Sequence, residues 1–259
     1  MDSFRDGNVI FRSLGDRSFE ATPAAAGPWS DSQCHGGAPA ALLASAIEAM
    51  PAAVPMELAR LTVDLIRAVP IGERLHIQLD ERHQGKRMQL VSARLLMRET
   101  VLAQASALRV RSVAEPPVRA LLENPDPAQH QPMPGGFSDQ FTIVPVTGGP
   151  DRLGPGSRWF RLNGLLTDER ATTQLDRCIA AADFGSGICN ELPFQEWRFP
   201  SLDLTVSLDR PPIGGWVLLQ SRWLSANGGR TSCVTGLSDT HGAFGEAIQT
   251  VLLEPRPHQ

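Results

Sequence analysis

One heptapeptide recurs in this chain with five of its seven residues unchanged. Leu61-Thr62-Val63-Asp64-Leu65-Ile66-Arg67 returns as Leu204-Thr205-Val206-Ser207-Leu208-Asp209-Arg210, 143 residues later. Carried forward without a gap, the same offset of 143 matches Gly72 to Gly215, Leu75 to Leu218, Gly85 to Gly228, Arg87 to Arg230 and Val91 to Val234. Strands resemble one another because Leu and Val favour them, but that does not bring turn glycines and arginines into a common register. Ten identities in thirty-one positions therefore indicate a duplicated unit. With two copies and so long a period, this is a tandem domain and not a solenoid of units of about 20–50 residues.

A chain of 259 residues can form one large domain or two of ordinary size, and the repeat selects two. Apolar residues make up 42% of it, enough for each half to bury a core. The formal charge of -4 argues against nucleic acid or an anionic membrane as the main partner. Of 24 basic residues only Lys86 is a lysine, a skew that would count toward an anion site only where arginines cluster. Met1 to Gly7 lacks the apolar core of a signal peptide, and no apolar run approaches the ~18 residues of a membrane span. Cys34, Cys178, Cys189 and Cys233 show neither paired metal spacing nor a CxxC, and read as buried thiols of a reducing cytoplasm. The six histidines form no HxH or HxxxH pair, so neither a metal nor another cofactor is expected. Cys34 and His35 are adjacent, yet sequence neighbours rarely face each other as a working dyad.

Hydrophobic patterning gives both halves the same plan. Short strand-like pieces lie within residues 4–29, around Val9-Ile10-Phe11 and Phe19-Glu20-Ala21. His35-Gly36-Gly37-Ala38-Pro39 then opens a helix to about Met50, with Pro39 suited to its first turn. Leu42, Leu43, Ala46, Ile47 and Met50 form one apolar stripe along it. Strands follow over Ala59–Arg67, Arg74–Arg82, Met88–Met97 and Val101–Arg111, as an antiparallel meander with a turn at Gln84-Gly85-Lys86. From Ala114 to Pro150 the composition shifts: eight of the 21 prolines fall there, which fits a linker. The division is an N-terminal unit over 1–113, a Pro-rich linker over 114–136 and a C-terminal unit over 137–259. Strand character resumes at Phe141–Val146 and Arg158–Leu166. Thr172 is placed to cap a second helix carrying Leu175, Cys178, Ile179 and Ala182 on its apolar side. A second meander runs through Leu202–Asp209, Trp216–Leu224, Thr231–Ser238 and Ala243–Leu253, turning at Asn227-Gly228-Gly229 and His241-Gly242.

One long helix wrapped by a curved antiparallel sheet is the hotdog fold, and two in tandem make an α+β double hotdog. Three segments then resemble the active-site segments of bacterial acyl-CoA thioesterase II: Ala182-Asp183-Phe184, Ser201-Leu202-Asp203-Leu204-Thr205 and Ile248-Gln249. The His35-Gly36-Gly37 start of the first helix is similar to that family's aromatic-Gly-Gly motif. In that family an Asp, a Thr and a Gln hold the attacking water. The resemblance therefore implies catalytic roles for Asp183, Ser201 and Gln249, with the serine keeping the threonine's hydroxyl and Phe184 standing where a tyrosine is common. It also implies an acyl-CoA or acyl-carrier thioester as substrate.

The chemistry is consistent with that set. A leaving thiolate has a reference pKa of about 8.5, so no strong general acid is needed and one carboxylate can suffice. Asp183 would be the general base, Ser201 and Gln249 would orient the water, and Gly36 and Gly37 would bind the substrate, with the Gly37 N–H receiving the oxyanion. Arg67 and Arg210, ending equivalent strands, could hold coenzyme A phosphates or pair with carboxylates at turns; their symmetry favours the latter. Trp159, Trp197, Trp216 and Trp223 are expected as core or interface anchors, and exposed sheet edges suggest a homo-oligomer. Two rivals stand: a non-catalytic acyl-CoA binding protein, and a hotdog hydratase or dehydratase. The latter pairs an Asp with a His, and the first His after Asp183 is His241, in an expected turn.

Overall fold

The computed structural model describes residues 8–112, 122–149 and 152–256. Met1 to Gly7 and the first part of the expected linker, up to residue 121, lie outside the described residues. In the first half, strands β1 (Val9–Gly15) and β2 (Ser18–Ala21) precede helix α1 (Gly37–Glu48) and strands β3 (Met56–Leu65), β4 (Arg74–Gln84), β5 (Met88–Met97) and β6 (Thr100–Arg111). The second half opens with β7 (Phe141–Gly149), β8 (Arg152–Leu162) and the short β9 (Leu165–Thr167). Helices α2 (Gln174–Ala182) and α3 (Gly185–Ile188) follow, then β10 (Trp197–Arg198), β11 (Asp203–Leu208), β12 (Val217–Trp223), β13 (Arg230–Asp239), β14 (Gly242–Leu252) and β15 (Glu254–Pro255).

Thirteen strands form one sheet in the order β7-β8-β12-β13-β14-β11-β3-β6-β5-β4-β2-β1-β9. Without β9 the order is a palindrome of the two halves, and its centre is the duplicated heptapeptide. There β11 and β3 pair antiparallel with Thr205 opposite Thr62, and the Thr205 hydroxyl donates to that of Thr62 over 3.1 Å. Repeat-related residues thus face each other across a pseudo-twofold axis. At the far edge β9 pairs in parallel with β1, Val9 against Leu165. Only three residue steps join Leu162 at the end of β8 to Leu165 in β9, a span of at most about 11 Å. The two ends of the sheet must therefore approach each other, and the sheet curls almost into a ring around its helices. The fold is the expected double hotdog.

Neither half is a simple meander. Strands β4, β5 and β6 follow one another, but β3 lies beside β6 and not beside β4, and β11 likewise lies beside β14. Carrying β3 and β11 back to the centre is what lets the two halves share one sheet. The expected single stripe on α1 also needs correction. Ala38, Ala40, Ala41 and Ala44 are buried along with Leu42, Leu43 and Ile47, because sheet covers one side and α2 the other. A helix enclosed in this way is apolar nearly all round.

Helix α2 begins one residue later than expected. Thr173, not Thr172, is its cap: the Thr173 hydroxyl accepts from the Asp176 N–H (3.1 Å), and Asp176 Oδ2 accepts from the Thr173 N–H (2.7 Å). Thr172 instead accepts from the Leu166 N–H at 3.0 Å. The strand expected over Arg158–Leu166 breaks into β8 and β9, and the glycines Gly228 (φ 61°) and Gly229 (φ 77°) make the expected β12–β13 turn. The described part of the expected linker is attached to both halves. The Gln131 N–H donates to the Ile143 carbonyl at 2.8 Å, and Gly135 lies so close to the first half that a Cβ on it would stand 3.0 Å from the Gly27 backbone.

Candidate active site

Asp183 sits at the C-cap of α2, 5% exposed, where the negative end of the helix dipole disfavours a carboxylate. Specific donors hold it there. Gln249 Nε2 donates to Asp183 Oδ1 at 2.8 Å and to the Ser201 hydroxyl at 2.7 Å, with a longer contact of 3.1 Å to the Asp183 carbonyl. Gln249 comes from β14, where alternation turns it inward with Ala247 and Val251 and buries it to 1% exposure. Its Oε1 accepts from the Ser186 N–H of α3 at 3.1 Å, so the amide is fully engaged. Ser201 is placed by a bridge to Val251 just before β11. The three residues named from the sequence are thus joined through one amide.

The first half supplies the rest of the site. His35 Nδ1 lies 3.1 Å from Asp183 Oδ2 and also 3.1 Å from the Gly37 nitrogen. The imidazole packs against both Phe184 (4.4 Å between centroids) and Phe137 (5.0 Å), whose rings are 5.7 Å from each other, so the three form one aromatic cluster. Its two Nδ1 contacts exclude each other. An imidazole nitrogen either carries a proton or offers one lone pair. With Asp183 ionised, a bare Nδ1 would face a carboxylate oxygen, so the proton lies at Nδ1 and is donated to Oδ2. Nδ1 then has no lone pair for the Gly37 N–H, for which no other acceptor is found among the described residues; Gly37 itself is buried next to the cavity-lining Gly36.

Gly36 and Gly37 lie at this site, where they pack closely against α2. A Cβ on Gly36 would stand 2.7 Å from Asp183 Oδ2, and one on Gly37 2.6 Å from the Ala180 carbonyl oxygen. Their missing side chains make room for α2 and its carboxylate.

A cavity of about 440 Å³ opens between the halves, with His35, Gly36, Asp183, Phe184 and Ser201 in its wall. Leu65, Met133, Pro134 and Phe199 give it an apolar lining, so the expected linker forms part of the site. Arg67, Arg158 and Arg198 also line it. The two symmetric arginines differ in surroundings. Arg210 forms a bidentate pair with buried Asp239 (2.7 and 2.8 Å), whereas Arg67 is exposed and donates to the Val101 carbonyl at 3.3 Å. The repeat-related position to Asp239 is Leu96, so the first half lacks that carboxylate.

Cys34 lines the cavity too, but burial pushes its thiol up to about 12, which removes it as a nucleophile near neutrality. Cys189 and Cys233, far apart in sequence, bring their sulfurs to 3.5 Å behind α3. Among the described residues no three His, Cys, Asp or Glu side chains converge as metal ligands, and no helix is long and apolar enough to cross a membrane.

Sequence reasoning passed over His35 as a partner of Asp183, because it looked for a histidine downstream in the same repeat. It also passed over Arg158, for which a signal existed: Arg158, Phe160 and Leu162 share one parity on β8, which puts the arginine on the core side.

The fold and site together define a class: a double hotdog whose carboxylate, hydroxyl and amide meet a glycine-rich helix start across the junction of its halves. The chain belongs to the acyl-CoA thioesterase family. The family's N-terminal domain profile matches residues 25–110 and its C-terminal domain profile residues 117–253. Among solved structures it is similar to a conserved hotdog protein of unknown function from Alicyclobacillus acidocaldarius, with 15% identity, TM-score 0.74, and coverage of 95% of this chain and 96% of that one. It is also similar to an acyl-CoA thioesterase II from Mycobacterium marinum, with 16% identity, TM-score 0.67 and 96% of each chain covered. No curated protein sequence matches the chain.

Proposed function

We propose that this protein hydrolyses an acyl-CoA or acyl-carrier thioester by direct attack of water, releasing a carboxylic acid and a free thiol. The reading is carried by the Gln249 amide that joins Asp183 to Ser201 in the cavity wall. Because the Ser201 oxygen accepts from Gln249, its own proton is free for the water oxygen, which turns a water O–H toward Asp183. Asp183 takes that proton as the water attacks. The Gly37 N–H, released when His35 donates to Asp183, is the donor for the carbonyl oxygen as it becomes an oxyanion. Collapse breaks the C–S bond, and the proton on Asp183 leaves with the thiolate or to solvent.

The same proposal includes two structural units, 1–113 and 137–259, joined by 114–136, a homo-oligomeric assembly and a cytoplasmic role in fatty acyl metabolism. Light scattering of the purified protein tests the oligomer. Thiol release from a panel of acyl-CoAs, comparing wild type with Asp183→Asn, tests the reaction. A fall of about 100-fold or more, the size expected when a general base is lost, supports it. Acyl-CoA bound by both proteins and cleaved by neither would instead identify a binding protein.

One observation keeps the hydratase alternative in view: the histidine that such chemistry needs beside the aspartate is present as His35, 3.1 Å away. Loss of enoyl absorbance on incubation with 2-enoyl-CoA, without thiol release, would decide for hydration.

A further inference from the structure

Arg158 is 4% exposed and projects from β8 on the same side as the core residues Phe160 and Leu162. Its Nε is wholly buried and meets no hydrogen-bond acceptor among the described residues. Burial lowers its pKa, and among the described residues no neighbouring carboxylate offsets the effect. Other deeply buried charged groups are matched. Asp176 pairs with Arg170 at 2.9 Å, Asp239 pairs with Arg210 at 2.7 Å, and Arg109 donates to Gln89 Oε1 at 2.7 Å and the Met50 carbonyl at 2.9 Å. A buried cation without a partner costs stability, and Arg158 lines the same cavity as Asp183, His35 and Ser201.

We infer that Arg158 anchors an anionic group on the acyl part of the substrate, so that the favoured thioesters are half-thioesters of dicarboxylic acids. This deepens the thioesterase reading and rests on it. A guanidinium fork matches a carboxylate in bidentate geometry, which makes arginine the residue for such an end group. Coenzyme A phosphates carry the same kind of charge but are strongly hydrated and belong at the rim. There Arg67 is exposed and Arg198 half-buried. Arg158, enclosed by the fold, is matched to a group that has already left water. Apolar Leu65, Met133, Phe184 and Phe199 suit the methylene chain between the two ends.

The test compares kcat/KM for succinyl-, glutaryl- and adipyl-CoA with monocarboxylic acyl-CoAs of the same length, in wild type and Arg158→Met. Wild type is expected to favour at least one diacid thioester by tenfold or more. In Arg158→Met that ratio falls toward one, and Arg158→Lys restores part of it. Repeating the pairs as N-acetylcysteamine thioesters, which carry no phosphate, separates the two anion sources. A preference that persists there supports the acyl carboxylate. A loss equal for diacid and monoacid CoA esters, and absent with N-acetylcysteamine esters, assigns Arg158 to the phosphates and overturns the inference.

Removing an unmatched buried cation should leave the melting temperature of ligand-free Arg158→Met at or above that of wild type. A fall of several degrees would reveal a protein partner and also overturn the inference. If wild type cleaves no thioester, the hydrolase reading fails on its own. Calorimetry with glutarate or adipate then still decides the anion site: binding by wild type and none by Arg158→Met upholds it, and no binding by either removes it.

Discussion

His35 Nδ1 and Asp183 Oδ2, from opposite halves of the molecule, are 3.1 Å apart. The contact fixes where one proton resides, and that proton decides whether the Gly37 N–H is available. Replacing His35 with Phe keeps the stack against Phe137 and Phe184 but removes the donor. We expect kcat to fall by about 10- to 100-fold, within the range for a positioned proton-holding group, with KM changed far less. Nitrogen-15 NMR of the wild type should show a proton on Nδ1 and not on Nε2 alone. An Nε2–H tautomer, or a kcat that survives in His35→Phe, would refute the assignment.

Gln249 is the amide through which the carboxylate and the hydroxyl are held. Gln249→Ala leaves the buried Ser186 N–H without its acceptor and frees Asp183 to rotate. Loss of a buried hydrogen-bond partner costs about 1–3 kcal/mol of stability, and turnover should fall along with it. Gln249→Glu is the sharper probe, since a second carboxylate beside Asp183 repels its ionised form. The pH–rate profile of Gln249→Glu should move to higher pH, and an unmoved profile would contradict Asp183 as the base.

Gly37 tests packing before chemistry. A methyl group there would lie 2.6 Å from the Ala180 carbonyl oxygen, a backbone atom that cannot swing aside. Gly37→Ala should therefore destabilise the protein by about 1–3 kcal/mol, as overpacking does, readable as a lowered melting temperature. A variant as stable as wild type would mean that the two helices are not so close.

Asp239 carries the pH dependence of the second half. Burial by itself would raise its pKa, but bonds from Arg210 and from the Ile213 and His241 N–H groups outweigh this and hold it below the usual carboxylate range. A depressed carboxylate contributes stability above its unfolded pKa of about 3.9, and that contribution is lost as pH falls through the folded value. Asp239→Asn should thus be less stable near neutrality by on the order of 3 kcal/mol, as when a buried pair is broken. The gap from wild type should narrow below about pH 4. Urea titrations at pH 7 and pH 3 would measure it, and an equal gap at both would contradict the pairing.

What was legible in the chain was what depends on neighbours or on parity. The repeat, the glycine turn at Gly228 and Gly229, and the inward set of Gln249 in β14 all follow from local pattern. Thr172 and Thr173 are equally good caps by type, and the choice fell to the one from which Asp176 can complete the box. The return of β3 to β6 needed strand order, which hydrophobic alternation does not encode. His35 beside Asp183 needed the placement of one half on the other. Arg158 could be given a side from its parity, but its lack of a partner is visible only once every neighbour is in place.

The parallel pairing of β9 with β1 has a consequence for synthesis. The first half leaves the ribosome with β1 and β3 each unpaired along one edge, and neither gap is filled until the partner strands of the second half emerge. The nascent first half therefore carries two open templates for strand addition. It is expected to depend on a holding chaperone, or on the prompt arrival of its own C-terminal portion, to avoid pairing with another chain.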